Sequence, residues 1–149
     1  MSERKFSVKR EEILNLLQGT STHPGARWVF DQLKLKIPDL SLATVYRNLN
    51  IFCEEEKALS LGVINGEERF DGISESHPHM VCSSCGSVID LPSAKVDTLI
   101  QDCKKLSMET SFNIDFRKTV FYGLCKDCQG NLDNHKNHGG DDDGAPDAA

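Results

Sequence analysis

No apolar run in the chain approaches the roughly 18 residues needed to cross a bilayer, so no membrane span is expected. The opening Met1-Ser-Glu-Arg-Lys-Phe6 has no apolar stretch behind it, which argues against a secretory signal and for a cytoplasmic protein. A net positive charge is lacking too. The formal charge is −6, which argues against holding nucleic acid by bulk charge alone. The distribution is less one-sided. Residues 1–57 carry nine Lys and Arg against eight Asp and Glu, with Arg4, Lys5, Lys9 and Arg10 crowded at the start; residues 58–149 carry eight against fifteen. The front half is thus permitted to meet nucleic acid, and the acidic rear half would limit loose binding. At 149 residues there is room for one ordinary domain or two small ones. Two small ones would each be short of core and would gain from a metal staple.

Cysteine, by contrast, is present in a pattern. Cys82 with Cys85 and Cys125 with Cys128 form two Cys-x-x-Cys pairs, separated by the 39 residues 86–124. A two-residue gap lets both sulfurs of a pair turn toward one ion, and four thiolates in a tetrahedron suit Zn²⁺. A four-sulfur shell leaves no open position, so the expected zinc is structural and inert. The alternative, a disulfide switch, is separated from this by thiol titration: protected thiols mean structure, reactive ones a switch. Cys53 and Cys103 fall in helical patterns and read as small buried hydrophobes.

The periodicity predicts a first helix from Ser7 to about Gln18, with Val8, Ile13, Leu14, Leu16 and Leu17 inward, and a second over roughly 25–36 on Ala26, Val29, Phe30, Leu33 and Ile37. Ser41 caps a third, to about Glu55, with Leu42, Val45, Leu49 and Phe52 inward. Strands at 58–64 and 67–71 are joined by Asn65-Gly66, a hairpin-turn signal. Three helices and a hairpin are the plan of a winged helix-turn-helix, with the third helix as groove reader. Its outer face, Ala43, Thr44, Tyr46, Arg47 and Asn50 beside the cap Ser41, suits base-edge and phosphate contacts; the bland alternative is a solvated face.

Residues 73–78 read as a linker. Strands at 79–83 and 87–91 flank the first cysteine pair, a helix follows at about 93–106, and the alternation of Phe112, Ile114 and Phe116, resumed at Val120, Tyr122 and Leu124, predicts a long ribbon into the second pair. About 50 such residues bury their apolar surface poorly alone, so two copies are expected to pair. From Gln129 onward the chain is polar and is expected to be a disordered acidic tail, with His135 and His138 as solvated residues. The expected fold is therefore α/β (α+β): a winged-helix DNA-binding domain over 1–72, a hinge over 73–78, an α/β dimerisation domain with structural zinc over 79–128, and the tail over 129–149.

A second metal signal is softer. His77 and His79 stand two apart, which on a strand puts both imidazoles on one face. Singly, Asp71 and Asp90 read as turn carboxylates and His23 as a loop residue. Together the five would make a shell of three imidazoles and two carboxylates, better suited to Fe(II) or Mn(II) than to closed zinc, and would tie the two halves together. A small metalloenzyme with a two-His, one-carboxylate site is the competing class. Against it, five protein ligands leave little room for substrate and the reading helix goes unexplained, so no residue is assigned a catalytic role.

The runs Ser41-Leu-Ala-Thr-Val-Tyr-Arg-Asn-Leu49, Glu68-Arg-Phe-Asp71, His77-Pro-His-Met-Val-Cys-Ser-Ser-Cys-Gly86 and Phe121-Tyr-Gly-Leu-Cys-Lys-Asp-Cys128 together resemble the ferric uptake regulator (Fur) family of bacterial repressors, over about residues 6–128. The resemblance implies a cytoplasmic homodimer on a double-stranded DNA operator, with one structural Zn²⁺ and one regulatory Fe²⁺ or Mn²⁺ per subunit. The regulatory shell of the peroxide-sensing branch maps onto His23, Asp71, His77, His79 and Asp90. Iron sensors usually carry Glu where Asp90 stands and a His-rich run before the knuckle that is absent here; a further metal site of theirs uses a histidine that falls at Arg117. The peroxide branch implies Fe(II)-catalysed oxidation of a ligand histidine, His23 or His77. Arg47 points the other way, resembling the iron-sensing branch, and keeps an iron- or zinc-responsive repressor as the alternative. The extra N-terminal helix of many members is also missing.

Overall fold

The computed structural model describes residues 7–73, 75 and 77–130, without the side chains of Ser93 and Arg117. Three helices come first: α1 (Val8–Gln18), α2 (Ala26–Leu33) and α3 (Leu42–Glu54). Each buries residues three or four apart: Ile13 and Leu17, then Ala26, Val29 and Leu33, then Val45, Leu49 and Phe52. That spacing makes one apolar stripe per helix, and the stripes meet with Ile37, Leu40, Ala58 and Phe70 in one core. Ser41 Oγ accepts the Thr44 N–H at 3.1 Å, satisfying a donor that the helix start leaves open. Ser7 occupies the same position on α1 without a side-chain bond. Val8, expected inside, is exposed; α1 turns inward only from Ile13. α2 ends earlier than expected, in a turn through which Ile37 N–H reaches Leu33 O at 2.8 Å and returns Ile37 to the core.

The basic start is not a free patch. Lys9 pairs with Asp39, and Arg10 bonds both carboxylate oxygens of Glu55 at 2.6 and 2.5 Å while lying over the Phe52 ring. These contacts tie α1 to both ends of α3. Arg4 and Lys5 lie outside the described residues.

β1 (Leu59–Ile64) and β2 (Glu67–Asp71) pair antiparallel about Asn65-Gly66, with a register shift between Ser60 and Val63 that the sequence pattern did not predict. This hairpin is a shared wall. Phe70 joins the three-helix core, whereas Leu61 and Ile64 pack with Val81 and Val88 of the second sheet. That sheet has the order β4-β3-β5, with β3 (His79–Cys82) antiparallel to β4 (Val88–Asp90) and parallel to β5 (Val120–Gly123). α4 (Ser93–Thr110) runs a turn beyond the expected end and stops where Ser111 turns left-handed, φ 55°.

Three expectations are corrected. The long ribbon is short: only Val120–Gly123 is strand, and Phe116–Lys118 form a 3-10 turn closed by Lys118 N–H to Asp115 O at 3.2 Å. The alternating segment from Phe112 to Phe116 pairs with no strand among the described residues, and Phe112 stands exposed. Cys53 and Cys103 are half-buried rather than core residues. Gln129 and Gly130 belong to a helical turn over 126–130. The rest of the expected tail, 131–149 with His135 and His138, lies outside the described residues, as do Ser74 and Ser76 of the linker.

Gly72 follows Asp71 at a close approach: an added β-carbon would stand 2.7 Å from the carbonyl carbon and oxygen of Leu17. Backbone at the end of a packed helix yields little. Gly72→Ala is expected to cost about 1–3 kcal/mol of stability in urea unfolding; an unchanged midpoint would show that α1 and β2 part freely there.

Candidate metal centres

Five side chains from separate segments converge. His23 comes from the α1–α2 loop, Asp71 from the end of β2, His77 from the segment before β3, His79 from β3 and Asp90 from β4. One ligand atom of each lies within 4.8 Å of every other. The pairing explains part of this, because His79 and Asp90 are direct cross-strand partners and so share a face. His23 Nε2 is 2.8 Å from Asp90 Oδ1, His79 Nε2 2.9 Å from Asp71 Oδ2, and His77 Nε2 3.0 Å from Asp71 Oδ2 and 3.1 Å from Asp90 Oδ1. His23 and Asp71 are 3% exposed and His79 is 0%; His77 at 13% and Asp90 at 34% form the open edge. Burial opposes ionisation of Asp71, but the bond from His79 and the Ile73 N–H, with His77 and His23 nearby, outweigh it and hold its carboxyl below the usual range.

The proton bookkeeping at His77 indicates what the cluster is for. His77 Nδ1 lies 2.8 Å from the Glu75 carbonyl oxygen, which only accepts, so Nδ1 carries the proton. In the neutral ring Nε2 then presents a lone pair to two carboxylate oxygens. A cation at the centre turns that repulsion into coordination. Three imidazoles and two carboxylates without a thiolate fit Fe(II) or Mn(II).

The cysteines make a second centre. Parallel pairing sets Cys82 opposite Gly123, which delivers Cys125 to the knuckle: Cys125 N–H donates to Cys82 Sγ at 3.3 Å, and Cys85 Sγ lies 3.8 Å from Cys125 Sγ. A tetrahedron of sulfurs around zinc has edges of about 3.8 Å. All four sulfurs lie within 4.8 Å of one another. Backbone N–H bonds, first from Cys125, bring the Cys82 thiol down to about 6. A bond from Ser84 favours the Cys128 thiolate, but the crowding sulfurs of Cys125, Cys82 and Cys85 outweigh it and push that thiol up to about 12. Four thiolates share this space only around a divalent cation.

The outer face of α3 is available: Ser41, Ala43, Tyr46, Arg47 and Asn50 are exposed and Thr44 is half-exposed. Ser41 and Thr44 are partly spent on the cap, and Asn48 turns inward, donating to Thr44 O at 2.8 Å. No described helix is long and apolar enough to cross a membrane.

The sequence pattern of the ferric uptake regulator family matches residues 2–122. This chain belongs to the ferric uptake regulator family. It is 32% identical, over 84% of its length and 82% of the relative's, to the peroxide-responsive repressor PerR of Staphylococcus saprophyticus. Among solved structures of the family it superposes on the Campylobacter jejuni peroxide stress regulator with a TM-score of 0.68 at 30% identity, covering 80% of this chain and 88% of that one. It also superposes on the Pseudomonas aeruginosa ferric uptake regulator with manganese, with a TM-score of 0.65 at 29% identity, covering 82% and 90%. Members of the family are transcription regulators with a winged-helix DNA-binding domain and a dimerisation domain, and both metal centres of that plan, a four-cysteine zinc site and a His/Asp regulatory site, have their residues gathered in this family member.

Two contributors escaped the sequence reading: the Glu75 carbonyl, which orients His77, and Arg69, which bonds the His23 loop. A backbone oxygen leaves no residue-type signal, and a charged residue on an alternating strand looks solvated. Cys125→Ser is expected to take zinc content from one ion per chain to near none and to free the β3–β5 pairing. Metal analysis with near-ultraviolet circular dichroism checks this; full zinc retention would remove Cys125 from the shell.

Proposed function

We propose that this metal-responsive regulator is a transcriptional repressor that senses hydrogen peroxide through its His/Asp centre, releasing a double-stranded DNA operator when a ligand histidine is oxidised. The observation that carries it is the convergence of ligands from both halves on one point, so that filling the centre favours one arrangement of reading helix and rear sheet. The proposed division is a DNA-binding domain over 1–72, a hinge over 73–78 and a dimerisation domain over 79–128. The proposed ligands are His23, Asp71, His77, His79 and Asp90 for Fe(II) or Mn(II), and Cys82, Cys85, Cys125 and Cys128 for zinc.

Bound Fe(II) would activate peroxide beside its own ligands, with no net change in the iron. The residues decide where the oxygen goes. A small oxidant enters at the open edge beside Asp90, and the imidazoles nearest that carboxylate are His23 and His77; His79, fully buried, lies nearer Asp71 than Asp90. In balance, one peroxide oxygen is inserted into a ring C–H bond, the other leaves as water, and the two electrons that peroxide takes up come from the ring. The modified ring is a poorer ligand, and the arrangement that the full shell favoured is lost.

A homodimer follows from what one chain leaves uncovered. None of the described α4 side chains is fully buried, with Leu106 and Met108 exposed, and Phe112, Ile89, Phe121 and Tyr122 stand exposed nearby in sequence or on the sheet. A second copy covers such surface most economically. A DNA-bound dimer of this kind works in the cytoplasm.

A second reading, an iron- or zinc-responsive repressor, is favoured by Arg47, exposed on the reading face. Protein loaded with Fe(II) and given peroxide is expected to gain one oxygen on the peptide containing His23 or His77 and to release its operator, whereas the Mn(II) form does neither. Unmodified histidines, with operator binding that follows metal concentration alone, would favour the second reading. Arg47→Ala is expected to weaken operator binding by about 1–3 kcal/mol under either, and a gel-shift titration at fixed salt measures it.

A further inference from the structure

The three histidines of the His/Asp centre are aimed by different means. His79 sits within β3, its N–H bonded to Thr119 O at 3.0 Å and Asp90 directly opposite. His77 is oriented by its Nδ1 bond to the Glu75 carbonyl. His23 has neither device. It lies in a loop, and its buried Nδ1, like that of His79, has no hydrogen-bond partner among the described residues. Its backbone is also left-handed, with φ 50°, which a residue bearing a β-carbon adopts at a cost unless its surroundings impose it.

The surroundings are supplied by β2. Arg69 Nε donates to His23 O at 2.5 Å and Arg69 Nη2 to Thr22 O at 3.2 Å, while the Phe70 N–H bonds Pro24 O at 2.9 Å. A planar guanidinium can hold two successive carbonyls with its fork; an ammonium, a single point charge on a flexible stem, cannot fix both directions at once. We propose that Arg69 is a positioning residue for the His/Asp centre, clamping the Thr22 and His23 carbonyls so that the left-handed turn delivers His23 Nε2 to the ion. β2 thereby supplies Asp71 directly and His23 at second hand, from a position two residues away. The inference rests on the cluster being a metal site.

Mn(II) is the probe, added to the full chain with its zinc retained. Affinity is read by equilibrium dialysis and the number of coordinated imidazoles by pulsed electron paramagnetic resonance. The unsubstituted chain is expected to show three imidazoles. Arg69→Met is expected to bind Mn(II) about tenfold or more weakly and to show two, with zinc content and far-ultraviolet circular dichroism unchanged. Arg69→Lys should fall between. In a His23→Ala background Arg69→Met should add little, because both remove the same ligand. An Arg69→Met protein with unaltered affinity and three imidazoles overturns the clamp while leaving the metal site standing; so does a loss that adds in full to that of His23→Ala. Fewer than three imidazoles in the unsubstituted chain overturns the site reading itself, and the clamp with it. Should Arg69→Met lose its zinc, Arg69→Lys decides by the same two readouts.

Discussion

The lone pair of His77 Nε2, facing two carboxylate oxygens at 3.0 and 3.1 Å, is the constraint from which the rest of the molecule can be reasoned. A buried carboxylate, Asp71, with a half-buried second, Asp90, beside it is costly unless a positive charge sits among them, as protons or as a metal ion. The groups that must approach that charge arrive from the loop after α1, the end of the wing, the segment before β3, and two adjacent strands. The α1–α2 loop belongs to the three-helix core and β3 and β4 to the second sheet, so satisfying the charge and orienting one half on the other are the same event. Beside these polar groups the interface has an apolar part, Leu61 and Ile64 against Val81 and Val88.

β3 is the ruler that sets both centres. It is four residues long, with His79 at one end and Cys82 at the other. Antiparallel pairing at the first end brings Asp90 opposite His79; parallel pairing at the second brings Gly123 opposite Cys82 and so carries the distant cysteine pair into reach. The parallel pair needs a long crossover, which α4 provides, and this is why the two cysteine pairs stand so far apart in sequence. The wing belongs to both halves as well. Besides its two apolar faces, its turn residue Asn65 lies against the zinc knuckle so closely that a β-carbon on Gly86 would come within 2.3 Å of Asn65 Nδ2. The knuckle that holds zinc is therefore also the surface on which the wing tip rests.

The parts of this plan that were legible in the sequence are those written in residue type and short spacing. The stripes of α2 and α3, the Asn65-Gly66 turn and the two cysteine pairs each encode local geometry, and each is found in place; His77 and His79 meet as well, but His77 lies before β3 and is aimed by the Glu75 carbonyl rather than by strand spacing. What was not legible depends on what covers a face rather than on the face itself. The alternation of Phe112, Ile114 and Phe116 has the period of a strand, yet a strand exists only where it pairs with another, and this segment pairs with none among the described residues. Val8 continues the apolar stripe of α1 one turn past the core that would bury it. Gly72 and Arg69 are invisible for a related reason: one matters for the side chain it lacks, the other for two carbonyls more than 45 positions away.

The division of labour between the two centres has a chemical logic that follows from their placement. Thiolates are the most readily oxidised groups in a protein when ionised and exposed, and Cys85, exposed and with its thiol lowered first by the bond to Ser87, would be such a group in a bare knuckle. Under the proposed peroxide sensing, an oxidant at one end of β3 would meet unguarded thiolates at the other. Four sulfurs on a redox-inert d¹⁰ ion are fully committed, and the closed tetrahedron leaves no position for an oxidant to enter. His79 and Cys82 are three residues apart on a strand, an odd separation that places them on opposite faces, about 10 Å apart along the chain. The charges agree as well. A divalent ion with two carboxylates is neutral overall and zinc with four thiolates is doubly negative, so neither centre repels the other's metal. Soft donors gathered on one face and imidazoles with carboxylates on the other thus sort the two ions without any need for different affinities for the same site.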